Sequence, residues 1–302
     1  MAIRQNARVT RRLRIFTVLI ALLAGWLLVG AVPAQAQEQI DRIETAVVVH
    51  PDTSMTLTET IDYRFPTGET RHGIVRTLVT SDPIDGGGSW RYGVTVRSVT
   101  ADGKKVPYES QDDGDLLSVK IGDPNVTVTG TVTYVISYDV TGALRAYTAD
   151  ELKGDEAYKA GDVELYWDLV GSGWDVPIAS AVATVTGPAA PLAYGCYAGE
   201  AGSTADCAVT EDGATLGFGP VALPAGGALT GVIAYPGSAF TTVPTPDIVQ
   251  PGLLDDPVSA FLIAVPLGLI ALAAPIIAVV VARRRLRGAE LSGAPVQFAP
   301  PE

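Results

Sequence analysis

Histidine and cysteine are nearly missing: 302 residues hold two of each, His50, His72, Cys196 and Cys207. A Ser-His-Asp hydrolase needs a histidine, and no G-x-S-x-G run accompanies either one. His72 precedes Gly73 in what reads as a loop-to-strand turn, where a histidine caps backbone groups. Two cysteines without a nearby histidine cluster disfavour a zinc site. A sustained helical stripe is also absent, because no stretch between 40 and 250 repeats apolar residues every 3.6 positions over three turns. A helical bundle is thereby excluded for the middle of the chain.

Charge is the third thing missing, in one place. Val258–Ala282 are 25 positions without a charged side chain, and Arg283-Arg284-Arg285-Leu286-Arg287 follows directly. A helix of that length rises about 37 Å at ~1.5 Å per residue, enough to cross a ~30 Å hydrocarbon core with tilt. The arginines mark a stop-transfer boundary on the cytoplasmic side. Pro266 and Pro275 would kink such a helix. At the other end Arg4, Arg8, Arg11, Arg12 and Arg14 precede the apolar stretch Ile15–Val32, and Ala34-Gln35-Ala36 offers a cleavage site before Gln37. The alternative is an uncleaved signal anchor, which leaves the middle on the same side.

Between these segments, residues 37–257 carry 12 basic and 31 acidic side chains, a net of −19. Such a domain repels nucleic acid and anionic lipid. Its two cysteines fall in this exported part, so a structural disulfide between Cys196 and Cys207 is expected. Closing that loop stabilises by roughly 3 kcal/mol in the chain-entropy model.

What is present is strand pattern. Met55, Leu57, Ile61, Tyr63 and Phe65 alternate with Thr56, Thr58, Thr60, Asp62 and Arg64, and Val132, Tyr134, Ile136, Tyr138 and Val140 repeat the pattern. Further strands are expected near Val163–Asp168, Ile178–Thr186, Cys207–Phe218 and Leu229–Tyr235. Asp102-Gly103, Asp113-Gly114 and Asp212-Gly213 supply hairpin turns. The predicted fold is mainly β, with two antiparallel, Ig-like β-sandwich lobes and one C-terminal transmembrane α-helix. The expected order is a signal peptide at 1–36, lobes at 37–150 and 151–240, a Pro-rich linker at 241–257, the span at 258–282 and a cytoplasmic tail at 283–302. A single continuous sandwich is the other reading, because no Pro/Gly linker separates the lobes.

Several segments in this order resemble one family. They are Leu57–Phe65, His72-Gly73-Ile74-Val75-Arg76, Ile121-Gly122-Asp123, Thr133–Tyr138, and Tyr166-Trp167-Asp168 with Gly171 and Gly173–Ile178. Together they are similar to the domain of unknown function 2207 family of predicted bacterial membrane proteins. The resemblance implies a signal peptide, a β-rich exported domain, a membrane span and no established activity. It also implies further cytoplasmic sequence, where this sequence stops at Pro295–Glu302.

Among individual residues Glu59 stands out. It lies in register with Leu57, Ile61 and Tyr63 on an apolar strand face, where a lone carboxylate is costly to bury. Arg76 is the expected partner, through two hydrogen bonds to a planar guanidinium. A structural ion pair fixing strand register is favoured over a charged switch. The acidic turns Asp112-Asp113-Gly114-Asp115 and Asp206 with Glu211-Asp212 lack the calcium-loop spacing, so solvated turns are favoured over calcium sites. Trp167 and Trp174 flank a Gly turn and read as core plugs rather than a stacking shelf. No catalytic residue, metal or cofactor is assigned. The reading is a single-pass cell-membrane protein, with the N-terminal domain extracytoplasmic and the tail cytoplasmic. Its partners are the bilayer, through one helix, and other envelope or membrane proteins, with no nucleic acid. The competing class is an exported hydrolase with an acidic active site.

Overall fold

The computed structural model describes residues 37–84, 87–150, 152, 158–245 and 247–250, and residues 261, 262, 265, 266 and 275 further on. The expected signal peptide at 1–36, the expected cytoplasmic tail at 283–302 and most of the 258–282 run lie outside the described residues. Phe261, Leu262, Val265, Pro266 and Pro275 are helical. Among the described residues no helix is long and apolar enough to cross a membrane.

The described chain is mainly strand. In order these are β1 (Gln39–Val49), β2 (Met55–Arg64), β3 (Gly73–Val79), β4 (Ser81–Pro83), β5 (Ser89–Arg91), β6 (Gly93–Ala101), β7 (Lys104–Lys105), β8 (Tyr108–Asp112) and β9 (Leu116–Gly122). There follow β10 (Thr131–Thr141), β11 (Leu144–Ala146), β12 (Val163–Val170), β13 (Ile178–Thr186), β14 (Ala193–Glu200), β15 (Val209–Asp212), β16 (Thr215–Leu223), β17 (Gly227–Tyr235) and β18 (Asp247–Val249).

The chain forms two compact units. The larger comprises residues up to Ser81 together with Arg91–Asp247. It contains an eight-stranded sheet in the order β15-β16-β13-β1-β2-β10-β6-β7 and two smaller sheets, β11-β12-β17-β14 and β3-β9-β8. The smaller unit takes Asp82–Trp90 and the residues from Ile248 on. It is built around the short sheet β18-β5-β4.

Alternation decides which face of the large sheet is core. Along β2 and β10 every second residue is buried and the intervening ones are half-buried or exposed. Cross-strand register aligns these rows: Ile61 faces Ile43 on β1 and Tyr134 on β10, while Leu57 faces Val47 and Tyr138. Burying side chains of this size contributes about 1.5–3 kcal/mol each. The opposite face is rich in Thr and Ser. Among the described residues neither smaller sheet shares a backbone ladder with the large one, yet all three contribute to one apolar cluster.

Strand β1 pairs antiparallel with β2 on one side and parallel with β13 on the other. That parallel pairing carries the large sheet across residue 150, so strands from both sides of the expected lobe boundary share one ladder. The Cys207–Phe218 segment, expected as one strand, is instead a hairpin of β15 and β16. It folds back at Asp212-Gly213, with Gly213 at φ 60°. At Asp102-Gly103 both residues have positive φ, 48° and 72°, the geometry of a tight hairpin turn. The Asp102 carboxylate accepts the Thr133 amide at 3.0 Å.

One close approach has no tolerance. Gly73 (φ 150°) and Gly122 (φ 139°) face each other where β3 and β9 begin and end their ladder. A Cβ on Gly73 would fall on the Ile121 carbonyl, and one on Gly122 on the carbonyl of His72. Gly73→Ala or Gly122→Ala is expected to cost more than about 3 kcal/mol, because backbone rather than a flexible side chain must move. Denaturant unfolding of the detergent-solubilised protein checks this, and an unchanged midpoint contradicts it.

A buried ion pair as the candidate functional site

Glu59 sits at the centre of β2, between Thr45 of β1 and Ile136 of β10. It is fully buried. Arg76 occupies an inward position of β3, flanked by buried Ile74 and Leu78, and is 3% exposed. Its guanidinium crosses from the small sheet to the large one. Nε donates to Glu59 Oε2 and Nη2 donates to Oε1, each at 2.7 Å. The remaining nitrogen, Nη1, donates to the Thr77 carbonyl at 2.6 Å.

Tyr138 completes the cluster, donating its hydroxyl to Glu59 Oε1 at 2.7 Å. Trp174 lies over the guanidinium with its ring centroid 5.3 Å from Arg76 Cζ and is 3% exposed. A desolvated cation over an indole face gains roughly 2 kcal/mol. Gly171 and Gly173 bring the chain after β12 against this group. A Cβ on Gly171 would lie 3.6 Å from Arg76 Nη1, and one on Gly173 would press on Thr77 at 3.2 Å. Two buried polar atoms in these elements have no hydrogen-bond partner among the described residues, Trp174 Nε1 and Thr45 Oγ1.

Electrostatics follow the geometry. Burial works against a charged Arg76, but the Glu59 carboxylate outweighs it and holds the guanidinium above its ordinary range. Burial raises the Tyr138 phenol well above its usual value, and the adjacent carboxylate raises it further. Arg76 and Tyr138 both donate to the carboxylate, so the cluster can hold sheets in register.

The other residues singled out in the sequence lie apart from this group. His50 Nε2 is 2.9 Å from Thr56 Oγ1, which donates to Asp139. His72 Nδ1 donates to the Val126 carbonyl at 3.0 Å. Asp112 accepts the Gly114 amide and Asp113 the Gln111 amide, so both serve their own turn. Among the described residues no group of three or more His, Cys, Asp or Glu is placed to hold a metal. Trp167 is half-buried and meets Tyr92 edge-on, with ring centroids 5.2 Å apart. Cys196 on β14 is bonded to Cys207, with Cα atoms 5.2 Å apart. The bond, with the Cys207 amide donating to the Cys196 carbonyl at 3.1 Å, straps the following segment along the free edge of β14.

Sequence reasoning left Tyr138 and Trp174 out of the cluster. Tyr138 could have been found: it shares the inward row of β10, and its cross-strand neighbour Leu57 lies two positions from Glu59 on the same face. Trp174 follows a loop that no periodicity places.

The fold and this cluster define a β domain of several sheets closed around an internal ion pair. The chain belongs to the predicted membrane protein (DUF2207) family, whose N-terminal-domain model matches residues 39–233. No curated protein matches. Among solved structures, native leukotriene A4 hydrolase from Saccharomyces cerevisiae is similar at 13% identity and a TM-score of 0.43, covering 67% of this chain and 30% of the hydrolase. An M1 zinc metallopeptidase from Deinococcus radiodurans is similar at 14% identity and a TM-score of 0.36, covering 66% of this chain and 44% of the peptidase. The chain thus spans less than half the length of either.

Two measurements address the cluster. Glu59→Leu and Arg76→Met are each expected to cost about 3–5 kcal/mol, because each leaves a buried charge unpaired, whereas the double variant recovers most of the loss. Additive losses in a denaturation cycle would contradict this coupling. The second concerns alkaline pH. Tyr63, Tyr138, Tyr147 and Tyr235 are all raised above the ordinary 10.0, chiefly by burial, and Tyr134 is pushed up to about 12. The unfolded chain releases these protons first, so stability holds below pH 10 and falls as pH rises from there through the native values. Denaturation midpoints at about pH 9 and about pH 11 should differ clearly, with the lower at the higher pH. Equal midpoints would refute the burial of these phenols.

Proposed function

We propose that this chain is a membrane-anchored protein of the cell envelope. Its β-rich domain lies outside the cytoplasm and works by binding other envelope or membrane proteins rather than by catalysis. In this reading a cleaved leader ends at Ala36, residues 258–282 form one membrane-crossing helix, and residues 283–302 are the cytoplasmic tail.

One observation carries the non-catalytic part. Among the described residues the buried charged side chains are Glu59 and Arg76, and with Tyr138 they spend hydrogen bonds on one another. A general acid or base has to reach a substrate, and these groups are committed to each other. What a partner can reach is the outside of the sheets, where Tyr166 on β12 is 59% exposed and Val75 on β3 is 50% exposed. Large aromatic side chains standing free on a rigid strand are the kind of anchor that protein interfaces use.

Orientation and partner are tested separately. Protease added to intact cells should remove the acidic domain; a domain that resists until the cells are opened contradicts the topology. A photoreactive residue in place of Tyr166, activated in the native membrane, should give a discrete adduct with a second envelope protein. Adducts with its own copies alone would make the domain a homo-oligomer, and no adduct would count against the binding role.

A further inference from the structure

Among the described residues, the first that the fold holds by its side chain is Glu38. Its Oε2 accepts Arg71 Nη2 at 2.7 Å, and its Oε1 accepts the Tyr63 hydroxyl at 2.9 Å. Arg71 also pairs with Glu69. The Arg71 hydrogen bond holds the Glu38 carboxyl below its ordinary range, partly opposed by burial. The pairing of β1 begins one residue later, where Gln39 faces Arg64. Gln37 is exposed and precedes the ladder, so neither its nitrogen nor its amide is taken up by the sheet.

We propose that Gln37 is a modification site, and that the mature protein begins with a pyroglutamyl residue formed from it. This rests on the exported reading above, in which the leader is cut between Ala36 and Gln37. The cut frees an α-amine whose ordinary pKa is about 7.7–8.0, so a sizeable share is uncharged near neutrality. The lone pair of that amine attacks Cδ of the residue's own side-chain amide. The new C–N bond closes a five-membered lactam, the Cδ–Nε2 bond breaks, and Nε2 leaves as ammonia with a proton from the attacking amine. No oxidant, reductant or co-reactant is consumed. Ring closure needs a chain end free of tertiary constraint, and Gln37 is the last such position before the Glu38 clamp.

The local consequence is electrostatic. A free ammonium at Gln37 would stand one residue from Glu38 and compete with Arg71 for its carboxylate. The neutral lactam removes that competitor and leaves Glu38 to Arg71 and Tyr63. It also removes the free amine that an aminopeptidase needs.

Mass spectrometry of the full-length protein, isolated from its own membrane, tests this through the tryptic fragment Gln37–Arg42. A synthetic isotope-labelled copy with a free terminal glutamine, added before digestion, counts any cyclisation caused by handling. The expected result is a native fragment lighter by one ammonia while the labelled copy stays largely open. A native fragment with an open Gln37 amine overturns the proposal and leaves the leader reading intact. A fragment that still joins Ala36 to Gln37, or one that starts elsewhere, overturns the leader reading and the proposal with it. Gln37→Ala should give an unblocked terminus at position 37, and a blocked one would contradict the chemistry.

Discussion

One bidentate contact, Arg76 to Glu59, ties β3 of a small sheet to β2 of the large one. Sheet faces packed through apolar side chains can slide at little cost, since the hydrophobic term is not directional. A planar fork on a carboxylate cannot slide. If β2 slipped by one residue, Glu59 would turn to the outer face and Thr58 or Thr60 would replace it inside. Arg76 would then be buried without an anion. The pair therefore penalises wrong registers far more than it favours the right one, since desolvating two ions offsets most of their attraction.

The cluster also reaches beyond two strands. Tyr138 belongs to β10, so the carboxylate has donors both across the gap between sheets and from the adjoining strand. Trp174 and the two glycines before it come from the chain after β12, whose sheet is the other small one. Two sheets without a shared ladder, and the loop that runs from the third sheet into β13, thus meet at one guanidinium. The glycines follow from this, because any larger side chain at position 173 would press on Thr77. Strict shape and strict charge pairing coincide at the junction where apolar packing specifies least.

How much of this could be read beforehand depended on distance along the chain. The burial of Glu59 was visible because alternation with Leu57, Ile61 and Tyr63 is local. Asp102-Gly103 was legible because positive φ has a residue signature. The parallel pairing of β1 with β13 was not, since alternation is the same for parallel and antiparallel neighbours and the two strands lie over a hundred residues apart. The division of Cys207–Phe218 is legible only in part, because Asp212-Gly213 has a turn signature while nothing in the flanking pattern says that the two halves pair with each other. Trp174 was legible as a buried aromatic, but its place over Arg76 depends on a loop path that local pattern does not encode.

Charge placement follows the same logic on the outside. Arg42, Arg64, Arg71, Arg97 and Arg145 each pair with a nearby carboxylate, and Arg76 is spent in the interior. With 31 acidic against 12 basic side chains in residues 37–257, 19 acids have no cation to offset them. Part of the surplus lies at turns such as Asp112–Asp115, where the Asp112 carboxylate accepts the Gly114 amide and remains exposed. The outer field is therefore negative, and it acts over about 8–10 Å at physiological salt. An anionic surface is repelled over that range, whereas a neutral or basic protein surface is not. The ion pair inside and the acid excess outside thus have a common basis: among the described residues the buried carboxylate, Glu59, has a guanidinium, and the acids in surplus of cations are left to water.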